Sequence, residues 1–212
     1  LPHQTSTLPY NTYDKASALQ ALIATHRTAF INCPVPKQEE RFKTNSHEAK
    51  LCAMVVKNII ELYRTNGIPY DAHQTIGIIS PFRGQGALIR NELSLLDMEE
   101  YTQHISIDTV ERYQGSQRDI IIYCTTITSP SQMELIVEAI DPTSPIVNQP
   151  IDRKLNVALT RARMQLFVIG IPQVLDTDCN YRALINELPQ YLHPTAEYSN
   201  QSSNNVPKNS GR

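Results

Sequence analysis

Four apolar runs, each shorter than a helix needs, recur along this chain between stretches of helical periodicity, and that alternation restricts the fold more than any single residue does. They are residues 28–33 (TAFINC), 75–80 (TIGIIS), 120–127 (IIIYCTTI) and 164–170 (MQLFVIG). Nearly continuous apolar strands are buried on both faces, which requires a parallel sheet covered by helices on either side. The run at 120–127 is apolar enough to belong in the middle of that sheet. HISI at 104–107 reads as a further strand leading into the polar turn DTVERYQGSQRD.

The intervening segments supply the helices. A short helix is expected near residues 16–24. Ser46 is expected to cap a long helix in which Leu51, Met54, Val55, Ile59 and Leu62 share a face, stopped by Asn66-Gly67. A helix at 84–96 follows Pro81, another runs from 155 to 163, and a last one from 178 to 191. Apolar strands alternating with amphipathic helices indicate βαβ units, with ligand sites at the carboxyl ends of the strands. The expected organisation is a lead-in at 1–26, one domain at 27–192 and a disordered tail at 193–212, rich in Ser and Asn. The chain starts at Leu1 rather than Met, and further protein is expected upstream.

Composition removes several classes. With 19 basic and 21 acidic residues, net −2, there is no global field to attract phosphates, so any nucleic-acid contact is local. Cys33, Cys52, Cys124 and Cys179 form no C-x-x-C pair, which fits neither a zinc site nor a disulfide scaffold, and reduced thiols of a soluble cytoplasmic protein are expected. No run reaches the ~20 apolar residues of a membrane span, so no membrane partner is expected. No glycine is followed by Lys, so the phosphate-cradling G-x-x-x-x-G-K-[ST] loop is absent from these 212 residues, and H-E-x-x-H and G-x-S-x-G are absent as well.

Residues 155–163 read LNVALTRAR. On a helix this places Leu155, Ala158, Leu159 and Ala162 on one buried stripe, with Arg161 and Arg163 on opposite flanks, so that only one of them reaches any one cleft. Read alone, both arginines are equally at home as solvated or ion-paired surface groups. The string resembles motif VI of the superfamily 1 helicases, in the branch that contains the RNA helicase of nonsense-mediated decay and the helicase-nuclease that trims Okazaki flaps. That resemblance implies that Arg161 is the catalytic arginine finger, reaching across a domain cleft to the γ-phosphate of ATP, and that Arg163 is structural.

Two further strings resemble the same branch. Residues 107–122 (IDTVERYQGSQRDIII) are similar to motif V, which implies nucleotide contacts for Gly115 and Gln117 and structural or coupling roles for Asp108, Gln114 and Asp119. Gln117 stands where the family carries Glu; it keeps hydrogen-bonding capacity but loses the charge. Asp108 and Asp119 are equally readable as turn formers. Residues 76–89 are similar to the family's TPY-x-x-Q element, through Ser80-Pro81-Phe82 and Gln85. This implies single-strand contacts from Ser80, Pro81, Arg83 and Thr109, with Gln85 structural; hydroxyls capping the next helix are the competing reading.

The resemblance covers residues 28–170, and the family's Q-x-R-M element is not in the sequence. It implies an α/β, RecA-like fold without its own P-loop: the second motor domain of an ATP-dependent helicase. Its partners would be an upstream RecA-like domain, which holds most of the ATP and Mg²⁺, and single-stranded nucleic acid. The isolated chain is then expected to be inactive. Two rivals are a RecA-like module that binds without hydrolysing, motivated by Gln117, and an unrelated nucleotide-binding α/β domain.

Overall fold

The computed structural model describes residues 5–6, 8–36, 43–113, 116–137 and 153–192. Gln114, Gly115 and the expected tail lie outside the described residues.

In chain order the elements are α1 (Ala18–Thr25), β1 (Thr28–Asn32), α2 (Ser46–Thr65), β2 (Ile76–Ile79), α3 (Arg83–Ser94), α4 (Glu99–Thr102), β3 (Ser106–Asp108), β4 (Arg118–Cys124), a 3₁₀ turn (Pro130–Leu135), α5 (Arg153–Leu159), β5 (Ala162–Gly170), α6 (Pro172–Leu175), α7 (Cys179–Glu187) and β6 (Gln190–Leu192). Six strands form one sheet in the order β3-β2-β4-β5-β1-β6, and every pairing is parallel. The run at 120–127 supplies β4, an inner strand whose Ile120, Ile121, Ile122, Tyr123 and Cys124 are all buried. This is the α/β architecture that the apolar runs demanded.

Helix α2 is the main cover of the sheet. Leu51, Val55, Ile59 and Leu62 are each at most 3% exposed, and full burial of such side chains contributes roughly 1.5–3 kcal/mol apiece. Met54 is 38% exposed and is not on that face, and the cap is Asn45 rather than Ser46, its side chain accepting from the Glu48 N–H at 3.1 Å. At the other end, Gly67 takes φ +62° while its N–H and that of Ile68 bond back to Arg64 and Tyr63, the stop that Asn66-Gly67 predicted.

Three other expectations change. Residues 5–26 are not a detached lead-in: Leu8, Tyr10, Leu19 and Ile23 join the core, and Thr5 bridges His26. Buried Gln165 of β5 fastens this segment, donating to the carbonyls of Ile23 (2.8 Å) and His26 (2.9 Å) and accepting from the Tyr10 hydroxyl. The helix expected at 155–163 ends at Leu159, because pairing with β4 captures the backbone from Arg161 onward, the Arg118 N–H bonding to the Arg161 carbonyl at 3.1 Å. The last helix ends at Glu187, since Leu188 precedes Pro189 and is extended, and residues 190–192 form β6 instead. Among the described residues, no helix is long and apolar enough to cross a membrane.

Candidate functional site

All strands run the same way, so the residues singled out from the sequence separate to opposite ends of the sheet. That corrects the expectation of one ligand edge at the carboxyl ends. The length of β4, seven residues, puts the two groups roughly 20 Å apart.

At the amino ends of β4 and β5 sit Gln117 and Arg161. Arg161 occupies the two-residue turn between α5 and β5, where it is half-buried. Its Nε donates to the Val157 carbonyl (3.1 Å) and one Nη2 proton goes to the Thr160 hydroxyl (3.1 Å). A guanidinium has five N–H donors, so three are left without a partner among the described residues. Gln117 is exposed, immediately before the strand residue Arg118 that pairs with the Arg161 segment.

Arg163, two residues on, is committed elsewhere. Its Nη1 lies 3.4 Å from Asp119 Oδ1, and its carbonyl accepts from Arg27. The two arginines therefore do diverge, though a strand and a turn separate them rather than two flanks of a helix. Asp119 is within β4, and its carboxylate faces Arg163.

Between the two ends, the β3–β4 connection crosses β2 at Gly77. A Cβ there would strike the Tyr113 hydroxyl and lie 2.7 Å from Arg118 Cγ, so only glycine admits this crossing. The Tyr113 hydroxyl donates to the Ser106 carbonyl, and burial pushes its pKa up, opposed by the Ser106 side chain and by Arg118, whose guanidinium lies 5.8 Å from the ring centre.

At the carboxyl ends of β2 and β3 there is a cleft of about 540 Å³, walled by Pro81, Phe82, Arg83 and Gly84 on one side and Thr109, Glu111 and Arg112 on another, with Lys43 closing it. Pro81, Arg83 and Thr109 meet there, as the sequence suggested. Asp108 pairs with Arg112 at 3.6 Å. Ser80 does not reach the cleft: it is 2% exposed, and its hydroxyl is shared with Thr126 Oγ1 at 3.0 Å while accepting from the Phe82 N–H.

Beneath the cleft lies a buried polar pedestal. Gln85 makes two bonds to the Asn45 backbone, accepting from its N–H at 2.7 Å and donating to its carbonyl at 2.9 Å. The Glu48 carboxylate, fully buried, accepts from the Thr125 hydroxyl (3.0 Å) and the Thr126 N–H (2.7 Å). Thr126 has φ +73°, a left-handed conformation costly for a β-branched residue, of order 1–3 kcal/mol, which persists only where surroundings enforce it. The neighbouring Cys124 thiol is pushed above its ordinary range by its hydrogen bond with Cys52 and by burial; Cys33, Cys52 and Cys124 are free and buried, and Cys179 is free and exposed.

Sequence reading missed Lys43, Asn45, Glu48, Arg112 and Thr126. The spacing Asn45-x-x-Glu48 is a helix-start signature and was the one available signal, and here the Glu carboxylate also accepts from Thr125 and Thr126, just past β4.

The AAA domain family pattern matches residues 5–173, four-fifths of the chain. The chain belongs to that family. Among named relatives, it is 31% identical to regulator of nonsense transcripts 1 of Dictyostelium discoideum over 163 residues, 74% of this chain and 11% of that protein. It is 35% identical over 127 residues to the DNA polymerase alpha-associated DNA helicase A of Saccharomyces cerevisiae, 57% of this chain and 15% of that protein. Another relative is the ATP-dependent helicase upf1 of Schizosaccharomyces pombe, 31% identical over 135 residues, 62% of this chain and 12% of that protein. The chain thus spans between a tenth and a sixth of the length of these relatives. A solved structure, the C-terminal domain of a possible DNA helicase from Lactobacillus plantarum WCFS1, aligns with 87% of this chain and 99% of its own at TM-score 0.38 and 10% identity, too loose a likeness to carry an argument. The parallel sheet already described gives this AAA domain an α/β, RecA-like fold, and its sequence is similar to a part of these helicases of the nonsense-decay branch.

Proposed function

We propose that this domain supplies the arginine finger and part of the single-strand grip of an ATP-dependent helicase or translocase, in a cleft shared with a P-loop domain outside these residues. The observation that carries the reading is Arg161: a partly exposed guanidinium on the turn after α5, with one donor on Val157 of that helix, one on Thr160 and three without a partner among the described residues. ATP with Mg²⁺, when bound, supplies the phosphoryl group and most of the charge neutralisation. The donor set here suits phosphate oxygens and a ribose or water, through Arg161 and Gln117, and among the described residues no cluster of three His, Cys, Asp or Glu offers to hold a metal, so we assign Mg²⁺ to the P-loop domain.

Arg161 then contributes charge to the transition state, while the cleft bounded by Arg83 and Thr109 holds backbone phosphates of a single strand. Ser80 acts by support rather than by contact. Because Gln117 and Thr109 belong to one short connection pinned at Tyr113, closure at the nucleotide is felt at the strand, and each hydrolysis shifts one grip against the other.

The test is strand-stimulated ATP hydrolysis by a protein that joins this chain to its P-loop domain. Arg161→Ala should remove most of the rate while ATP still binds. An unchanged rate, or no hydrolysis by the unaltered protein, would leave a RecA-like module that binds without hydrolysing.

A further inference from the structure

The cleft at the carboxyl ends holds more than cations. Phe82, between Pro81 and Arg83, lines it as a half-buried ring, and Lys43 Nζ stands 5.7 Å from the ring centre. Lys43 reaches that place through a left-handed backbone, φ +72°, two residues before Asn45. Its own segment abuts α3: a Cβ at Gly84 would lie 3.3 Å from Thr44 Cγ2 and 3.8 Å from the Lys43 carbonyl. Phe82 and Lys43 are thus fixed by one pedestal, Gln85 gripping Asn45 from α3, and the Glu48–Thr126–Ser80 chain holding the end of β2 where Phe82 begins.

An aromatic ring flanked by Lys43, Arg83 and Arg112 from three separate segments is the composition that binds one nucleotide unit of a single strand: a π-face for the base and cations for the flanking phosphates. Glu111 and the Asp108–Arg112 pair keep the local charge low enough that phosphates alone are held weakly. We propose that Phe82 is a base-stacking platform, and that Lys43, which covers the ring in the free protein, exchanges that position for a phosphate when a base arrives. A cation over a partly solvated ring is held less strongly than a stacked base, so the exchange favours binding. Stacking of this kind tolerates every base, giving a grip indifferent to sequence. The inference rests on the strand-grip reading above and deepens it, since that reading needs only phosphate contacts.

The experiment compares binding of a fluorescent oligothymidylate with that of an abasic oligonucleotide of equal length, by anisotropy at low salt, using the whole 212-residue chain. The unaltered chain should bind the base-bearing strand roughly tenfold more tightly. Phe82→Ala should abolish that preference while leaving abasic binding unchanged, Phe82→Trp should retain it, and Lys43→Ala should lower the salt slope of the base-bearing strand by about one while leaving that of the abasic strand unchanged. Equal binding of both strands by the unaltered chain, weakened alike by Arg83→Ala, would overturn the platform and leave the phosphate grip standing. A preference that survives Phe82→Ala would overturn Phe82's part in it. No binding to either strand would overturn the grip itself.

Discussion

The two ends of the sheet are built by opposite means. At the amino ends of β4 and β5, Arg161 is placed by bonds to residues one and four positions away, and more than half of its donors have no partner among the described residues. At the carboxyl ends of β2 and β3, the cleft stands on bonds that join residues 40 to 78 positions apart, nearly all of them buried. In the function proposed above, the first arrangement is half of a site, cheap to form locally and completed only when another domain brings a phosphate. The second is preorganised before any ligand arrives, and it spends backbone strain at Thr126 and Lys43 to be so. A motor of the kind proposed uses both, one part that completes itself only on closure and one that holds its shape throughout.

The contrast can be broken most decisively at Arg161. In the protein joined to its P-loop domain, Arg161→Ala should lower strand-stimulated turnover by on the order of 10³, with strand affinity unaltered in an anisotropy titration. Equal losses in both would mean that the ends do not act separately. Next in size, Glu48→Ala leaves the Thr126 N–H and Thr125 hydroxyl unpaired in the interior and should cost about 3 kcal/mol in urea unfolding of this chain, against a far smaller change for Lys57→Ala on the solvent side of α2. If Glu48→Ala costs less than about 1 kcal/mol, the pedestal is not what holds the cleft.

Arg83→Ala should weaken strand binding several-fold and reduce its salt slope by about one, without changing nucleotide affinity, both measurable by titration at two ionic strengths. Smallest of all is Arg163→Ala: its ion pair with Asp119 is largely solvated, so unfolding free energy should move by no more than about 0.5 kcal/mol and turnover less than twofold. A large loss of turnover on Arg163→Ala would exchange the roles of the two arginines.

Much of the fold was legible because the inner strands are buried on both faces, and burial on both faces leaves a mark in one dimension: IIIYC could be little else. The family strings at 107–122 and 155–163 single out Gln117 and Arg161, which lie at the same end of adjacent strands. What escaped was non-local. The LNVALTRAR helix stops early because β4 claims its last residues, and no pattern inside that string announces a partner strand. Residues 190–192 alternate weakly and become β6 only by lying beside β1. Gln165 among apolar neighbours reads as an anomaly until Ile23 and His26, more than 130 positions earlier, offer their carbonyls. The division of the candidate residues between two ends also needed strand direction, which sequence spacing does not carry.

The strand order has one further effect. The edges of the sheet are β3 and β6, each three residues long, whereas β1, next to one edge, is a five-residue strand, TAFIN, with every residue buried. An edge so short offers another polypeptide few backbone hydrogen bonds, which is how sheets avoid recruiting copies of themselves. A version trimmed before Gln190 would make β1 the edge among the described strands, a longer template for strand addition, while leaving Arg161 and the cleft in place.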